Sequence, residues 1–231
     1  MRALLLAAGF GTRLRPMTYT IPKCLVTIKG KPLLEIWLER LTHAGIDNFL
    51  INTHYLPEKV VDYINTSKYS AQVCLVYEDN LQGTAGTLLN NLNFFKGEDG
   101  LFIHADNYCL ADFVAFQNAH FMRPKECLLT MMTFRSDNPS SCGVVELDER
   151  GIVIGFHEKI INPPTNLANG AVYIFSAEFL NLYIEKFNFA TDFSTEILSL
   201  LVGKIYSYET TEVFLDIGTP ESYAKANSNF E

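Results

Sequence analysis

The chain has 231 residues, 48% hydrophobic and 19% charged, with a formal net charge of −8. That length supports one sizeable core, or a core with a small appended lobe. The acidic balance argues against general nucleic-acid binding, which needs clustered Lys and Arg to neutralise phosphates.

In chain order, residues 2–8 read as a buried strand of the parallel type, apolar on both faces. Residues 9–32 form a long connection marked by glycine and proline. Residues 33–44 have helical spacing, with Leu34, Trp37, Leu38 and Leu41 on one face and Gly45 as the stop. A strand follows at 48–53, a helix at 57–64, a strand at 73–77, a helix from 86 and a strand at 101–105. This alternation predicts an α/β fold with an open sheet. Ligands of such sheets bind at the carboxyl ends of the strands, where the loop 9–16 and Asp106 both lie.

Beyond Asp106 the alternation loosens. A helix is expected at 111–120, and strands at 127–134, 143–147, 152–158 and 169–175. A helix at 177–185 comes next, then another at 195–202 with Ser194 as its N-cap. Strands at 204–209 and 212–216 close the pattern. With no linker, low-complexity run or repeat, 1–231 reads as one continuous domain, in halves of about 1–110 and about 111–231, the second adding a substrate-facing lobe. The five cysteines (Cys24, Cys74, Cys109, Cys127 and Cys142) are never spaced as CxxC, which favours reduced thiols over zinc or disulfides. The apolar run at 3–8 is too short for a secretory leader, and no stretch is long enough to span a membrane.

The stretch "LLLAAGFGTRLRP" at 4–16 invites three readings: a dinucleotide loop, a hydrolase P-loop or a phosphate-transfer loop. Leu14 stands where the dinucleotide fingerprint needs a third glycine, and the GK[ST] of a P-loop is absent. What remains is GxGTRLxPxT followed by Pro22-Lys23. Gly9 and Gly11 would let backbone N–H groups approach phosphate oxygens. Arg13 offers a planar fork for phosphate, and Lys23 a compact charge. Asp106, in "HADN", is the type of carboxylate a hard cation takes beside phosphates. The five histidines are dispersed without metal-ligand spacing, and Trp37 reads as core.

"LLLAAGFGTRLRPMTYTIPKCLV" resembles the signature of the sugar-phosphate nucleotidylyltransferases, and the likeness runs from residue 1 to about 226. It is nearest the mannose-1-phosphate guanylyltransferase-like branch, in a short form without the C-terminal β-helix of some relatives. The resemblance implies a Rossmann-like, mixed and mainly parallel sheet flanked by helices. It also implies transfer of a nucleotidyl group from an NTP, GTP favoured, to a mannose- or heptose-type sugar 1-phosphate. Transfer from UTP or CTP to another sugar or phosphorylated alcohol is the alternative, and a non-catalytic nucleotide-sugar sensor a remote one. The implied setting is cytoplasmic nucleotide-sugar and polysaccharide biosynthesis by a monomer or homodimer, without nucleic acid or membrane.

The same resemblance assigns roles to residues. Arg13, Lys23, Asp106 and Asp216 are the catalytic set, with Asp106 and Asp216 (the latter in "FLDIGTPESY") converging on one Mg²⁺. Ala7, Ala8, Gly9, Gly11, Thr12 and Arg13 bind the nucleotide. So do Glu78, Gly83 and Thr84 of "EDNLQGTAGTL", which resembles the stretch lining a guanine pocket. Gly143, Glu158, Lys159 and Asn169 face the sugar phosphate. Phe214 stands where relatives often have Trp, Cys142 where they have Tyr, and Gly170-Ala171 reverses the commoner Ala-Gly order.

Overall fold

The structure, a computed structural model, describes residues 1–228. The chain divides into two compact units of interleaved segments. One comprises Arg2–Leu81, Ile103–Ala111 and the described residues from Glu212 onward. The other comprises Met1, Gln82–Phe102 and Asp112–Thr211.

The unit that begins at Arg2 opens with strand β1 (Arg2–Leu6). The connection to the first helix contains three 3₁₀ turns and a small hairpin of β2 (Thr27–Ile28) and β3 (Lys31–Pro32). Helix α1 (Leu33–His43) buries Leu34, Trp37, Leu38 and Leu41 as its spacing predicts, and the Trp37 indole N–H donates to the Asn107 carbonyl at 2.9 Å. Gly45, at φ +80°, closes the helix, and the Ile46 N–H returns to the Leu41 carbonyl. Strands β4 (Phe49–Thr53) and β5 (Val73–Tyr77) add to β1 in the parallel order β1-β4-β5, and helix α2 (Pro57–Thr66) packs on β5. Every residue of β4 is buried, which explains its unbroken apolar run up to Asn52.

In the other unit, helix α3 (Gly83–Asn90) starts three residues earlier than its apolar pattern suggests. Strand β6 (Gly100–His104) crosses the unit boundary after Phe102, and it leads into a short strand β7 (Asn107–Cys109) that sequence patterning missed. Helix α4 (Phe113–Met122) is capped by the Asp112 carboxylate, which accepts from the Val114 and Ala115 N–H groups. Strands β8 (Leu129–Arg135), β9 (Gly143–Leu147), β10 (Val153–Glu158) and β11 (Leu167–Phe175) pair antiparallel. Helix α5 (Ala177–Lys186) follows, capped by Ser176. The helix expected at 195–202 is a single turn, α6 (Phe193–Glu196), then a 3₁₀ segment; its N-cap is Asp192, not Ser194, because the Asp192 carboxylate takes the Thr195 N–H. Strand β12 (Ile205–Glu209) runs parallel to β8. The core of this unit is aromatic: Phe102, Tyr173 and Phe193 pack at centroid distances of 5.0–6.1 Å.

The late segment belongs with the first unit. Strand β13 (Phe214–Asp216) pairs antiparallel with β7, and helix α7 (Pro220–Asn227), started by a Thr219 capping box, packs on β13 and β2. The architecture is the expected α/β type, a mixed and mainly parallel sheet flanked by helices. Among the described residues no helix is long and apolar enough to cross a membrane.

Candidate active site

The chain leaves β1 at Leu6, and the Ala7 N–H is taken by the Asn52 side-chain oxygen at 2.8 Å. The two glycines that follow differ in role. Gly11 sits at φ +62°, and a side-chain carbon there would lie 3.0 Å from Thr18 Cγ2 and 3.2 Å from Lys23 Cβ. The fold itself therefore requires that glycine. Gly9 has no such constraint: a carbon added to it would meet nothing within 4 Å. Thr12 and Arg13 are exposed on the 3₁₀ turn that Gly11 begins, while Leu14 is buried beneath it.

Residues of the loop after β4 hold this turn in place. The Phe10 ring packs edge-on against His54, with centroids 5.3 Å apart, and against Tyr55 at 5.5 Å. The Tyr55 hydroxyl donates to the Thr18 carbonyl at 2.8 Å, and the Thr18 hydroxyl donates to the Gly11 carbonyl at 2.7 Å. Sequence patterning singles out neither Asn52 nor Tyr55, and it takes His54 only as one of five dispersed histidines. Their only signal is position, since they end a buried parallel strand where ligands of such sheets bind.

The charged residues form an alternating string. Lys23 is 6% exposed, and its Nζ lies 2.8 Å from Asp106 Oδ2 and 3.5 Å from Asp216 Oδ1. The other Asp216 oxygen lies 3.4 Å from the Arg13 guanidinium. Pairing of β7 with β13 makes this possible, because Asp216 stands opposite Asn107, the neighbour of Asp106. The Arg13 guanidinium rests on Gly218, where an added carbon would come within 2.6 Å of it. Burial pushes the Asp106 pKa up, but Lys23, with His104 behind it, pulls harder and leaves it below the ordinary carboxylate value. Cys24, buried beside Lys23, is pushed up to about 12 by desolvation and is inert as a nucleophile.

Two carboxylates on one ammonium can also share one hard cation. Magnesium is commonly bound by one or two carboxylates, with waters and substrate phosphates completing its octahedron. Asp106 and Asp216 fit that requirement. Among the described residues no group of three or more His, Cys, Asp or Glu is placed to hold a metal by itself, so phosphate oxygens would have to supply the remaining ligands.

The other expected nucleotide contacts divide between the units. Glu78, 6% exposed, follows β5 and accepts from the Asn52 amide at 3.0 Å. Gly83 and Thr84 begin α3 in the second unit. Gly83 lies at φ +73° against the Thr191 carbonyl, the Ala85 N–H donates to that carbonyl, and the Thr84 hydroxyl accepts the Phe193 N–H at 2.7 Å. That hydroxyl and the Ala85 amide thus join α3 to the first residue of α6 and to the chain just before it.

The expected sugar-phosphate residues all lie in the second unit. Gly143 faces Glu158 across the β9–β10 ladder, and a carbon on Gly143 would lie 2.5 Å from Glu158 Oε2. Lys159 is exposed and held at φ +49°, a backbone region that L-residues enter only under constraint. Asn169 is fixed at both ends: its amide donates to the Tyr173 hydroxyl at 2.7 Å, and its oxygen accepts the Ala171 N–H at 2.9 Å. Ala171, at φ +52°, occupies the irregularity that this turn creates in β11.

The profile of the family described as Nucleotidyl transferase matches residues 2–231. The chain belongs to that family. A mannose-1-phosphate guanylyltransferase of Mycobacterium tuberculosis is 28% identical over 98% of this chain and 64% of its own length. A mannose-1-phosphate guanyltransferase of Schizosaccharomyces pombe is 29% identical over 96% of the chain and 62% of its own length. The chain thus spans a little under two thirds of these family members. Among solved structures, HddC from Yersinia pseudotuberculosis complexed with GMP-PN superposes with a TM-score of 0.82 at 26% identity, covering 100% of this chain and 99% of that one.

Proposed function

We propose that this chain joins an NTP, with GTP favoured, to a mannose- or heptose-type sugar 1-phosphate, releasing pyrophosphate and forming an NDP-sugar. The observation that carries this reading is the string Asp106–Lys23–Asp216–Arg13 beside the glycine turn. The names of the mannose-1-phosphate guanylyltransferase relatives favour guanine and a mannose-type sugar, and the GMP-PN in the HddC structure favours guanine.

In this reaction a phosphate oxygen of the sugar 1-phosphate attacks the α-phosphorus of the NTP. A new P–O bond forms as the bond to the bridging oxygen breaks, and pyrophosphate leaves with the electron pair. The nucleophile is already ionised, so no general base is required. Positioning two anions and stabilising the leaving group are the remaining tasks, and both are electrostatic. Lys23 would meet the α-phosphate, where charge accumulates. Arg13 and the amides of residues 9–12 would hold the β- and γ-phosphates. Lys159 would bind the attacking phosphate, with Glu158 and Asn169 on sugar hydroxyls and Gly143 leaving room for the ring. Asp106 and Asp216 would hold Mg²⁺, which when bound offsets phosphate charge.

The test is pyrophosphate release across four NTPs and a panel of sugar 1-phosphates. GTP with mannose 1-phosphate or a heptose 1-phosphate is expected to react fastest. Faster release with UTP or CTP would move the assignment to another base. Tight NDP-sugar binding without release from any pair would make the chain a sensor.

A further inference from the structure

The loop that receives phosphate in the proposed reaction starts from a buried polar relay. Ala7 is the first residue beyond β1, and the parallel ladder ends with Leu6 opposite Asn52. The next N–H, that of Ala7, is taken by the Asn52 side-chain oxygen, at 2.8 Å. The Asn52 amide donates in turn to Glu78 Oε1 at 3.0 Å. Asn52 is 3% exposed and Glu78 6%. A carboxylate accepts but cannot donate, so Glu78 dictates which end of the Asn52 amide faces it and which faces Ala7. The His54 ring nitrogen also meets the Glu78 carbonyl at 2.8 Å, tying the end of β5 to the residues that clasp Phe10.

We infer that Asn52 and Glu78 are positioning residues for the nucleotide. Together they fix the direction in which the chain leaves β1, and so the aim of the amides at residues 8–12. Asn52 need not touch the ligand to act in this way. The inference rests on the proposed nucleotide site but not on transfer itself, because binding of the nucleotide alone reports it.

The experiment measures calorimetric affinity for whichever of GTP, ATP, UTP and CTP the wild-type chain binds tightest, with Mg²⁺ present. The variants are Asn52→Leu, Glu78→Leu and Glu78→Gln, each with thermal unfolding and KM values for both substrates. Glutamine keeps an oxygen for the Asn52 amide, whereas leucine does not. Both leucine variants should weaken nucleotide binding by about tenfold or more, the scale on which small misplacements act. KM for the sugar 1-phosphate should stay within about twofold, and Glu78→Gln should recover most of the lost affinity. Should Asn52→Leu fail to fold, the Glu78→Leu and Glu78→Gln pair carries the same comparison.

Wild-type affinity in a folded leucine variant would overturn the inference. So would a Gln variant as weak as Leu, since the charge rather than the relay would then be acting. A wild-type chain that binds nucleotide but releases no pyrophosphate overturns the transfer reading and leaves the relay to be judged on affinities. A chain that binds none of the four overturns both.

Discussion

The guanidinium of Arg13 lies directly on the backbone of Gly218, so close that a methyl group there would come within 2.6 Å of it. Residues more than 200 positions apart thus make one seat, with the Asp216 carboxylate 3.4 Å from the same guanidinium. Arg13→Ala should cut kcat by roughly 10²–10³ if it stabilises the leaving pyrophosphate. Gly218→Ala should displace the guanidinium and give part of that loss. In the double variant the second change should add almost nothing, because both act through one group. Steady-state kinetics on the four-member cycle checks this, and additive losses would separate the two residues.

Asp106 and Lys23 make a second testable pair. The Asp106 pKa is held below its unfolded value, so the stability it contributes is present above the unfolded carboxylate pKa and is lost as pH falls through the folded one. Asp106→Asn should therefore flatten the acid side of the stability profile. It leaves Asp216, at 3.5 Å, as the carboxylate partner of the buried Lys23 ammonium among the described residues, and should cost roughly 1–3 kcal/mol near neutrality. Urea unfolding between pH 3 and pH 8 tests both, and an unchanged acid limb would show that the pair contributes little.

The carboxylates should also govern the metal requirement. Asp216→Asn is expected to raise the Mg²⁺ concentration for half-maximal activity by about tenfold, while nucleotide-free stability changes little because that carboxylate is about half exposed. An unchanged Mg²⁺ titration would make Asp216 a partner of Arg13 and nothing more.

Gly9 and Gly11 should separate folding from binding. Gly11→Ala forces a side chain into a positive-φ position against Thr18 and should destabilise by about 1–2 kcal/mol. Gly9→Ala meets open space and should leave the unfolding midpoint nearly unchanged while weakening nucleotide binding. Equal effects of the two on stability would contradict the geometry.

Ala171 is the opposite case, a side chain where the backbone favours glycine. Its φ of +52° lies in the left-handed region, at the position the commoner Ala-Gly order would fill with glycine. Ala171→Gly should stabilise by roughly 0.5–1 kcal/mol, the relief of strain exceeding the extra freedom of the unfolded glycine. Thermal unfolding decides the sign.

Much of the fold was legible because burial imposes periodicity. The helical stripe of α1, the apolar runs of β4 and β6 and the strand at 143–147 could all be read directly. Shorter pieces such as β7 were not: it has three residues, too few to carry a period, whereas β13 falls within the strand expected at 212–216. The helix at 195–202 failed because Asp192 captures the Thr195 N–H and the helix lapses into a 3₁₀ turn after Glu196.

From the sequence alone, the kinds of group in the site were already determined. Glycines that free the backbone and cations that match phosphate are properties of residue types, and their order after a buried strand names the chemistry. Tertiary structure alone decided who meets whom. Pairing of β7 with β13 brings Asp216 to the ammonium that Asp106 holds, Gly218 seats Arg13, and Asn52 directs the loop. Contacts of this kind span 45 to more than 200 residues, and each depends on a register or a close approach that no local pattern of side chains encodes.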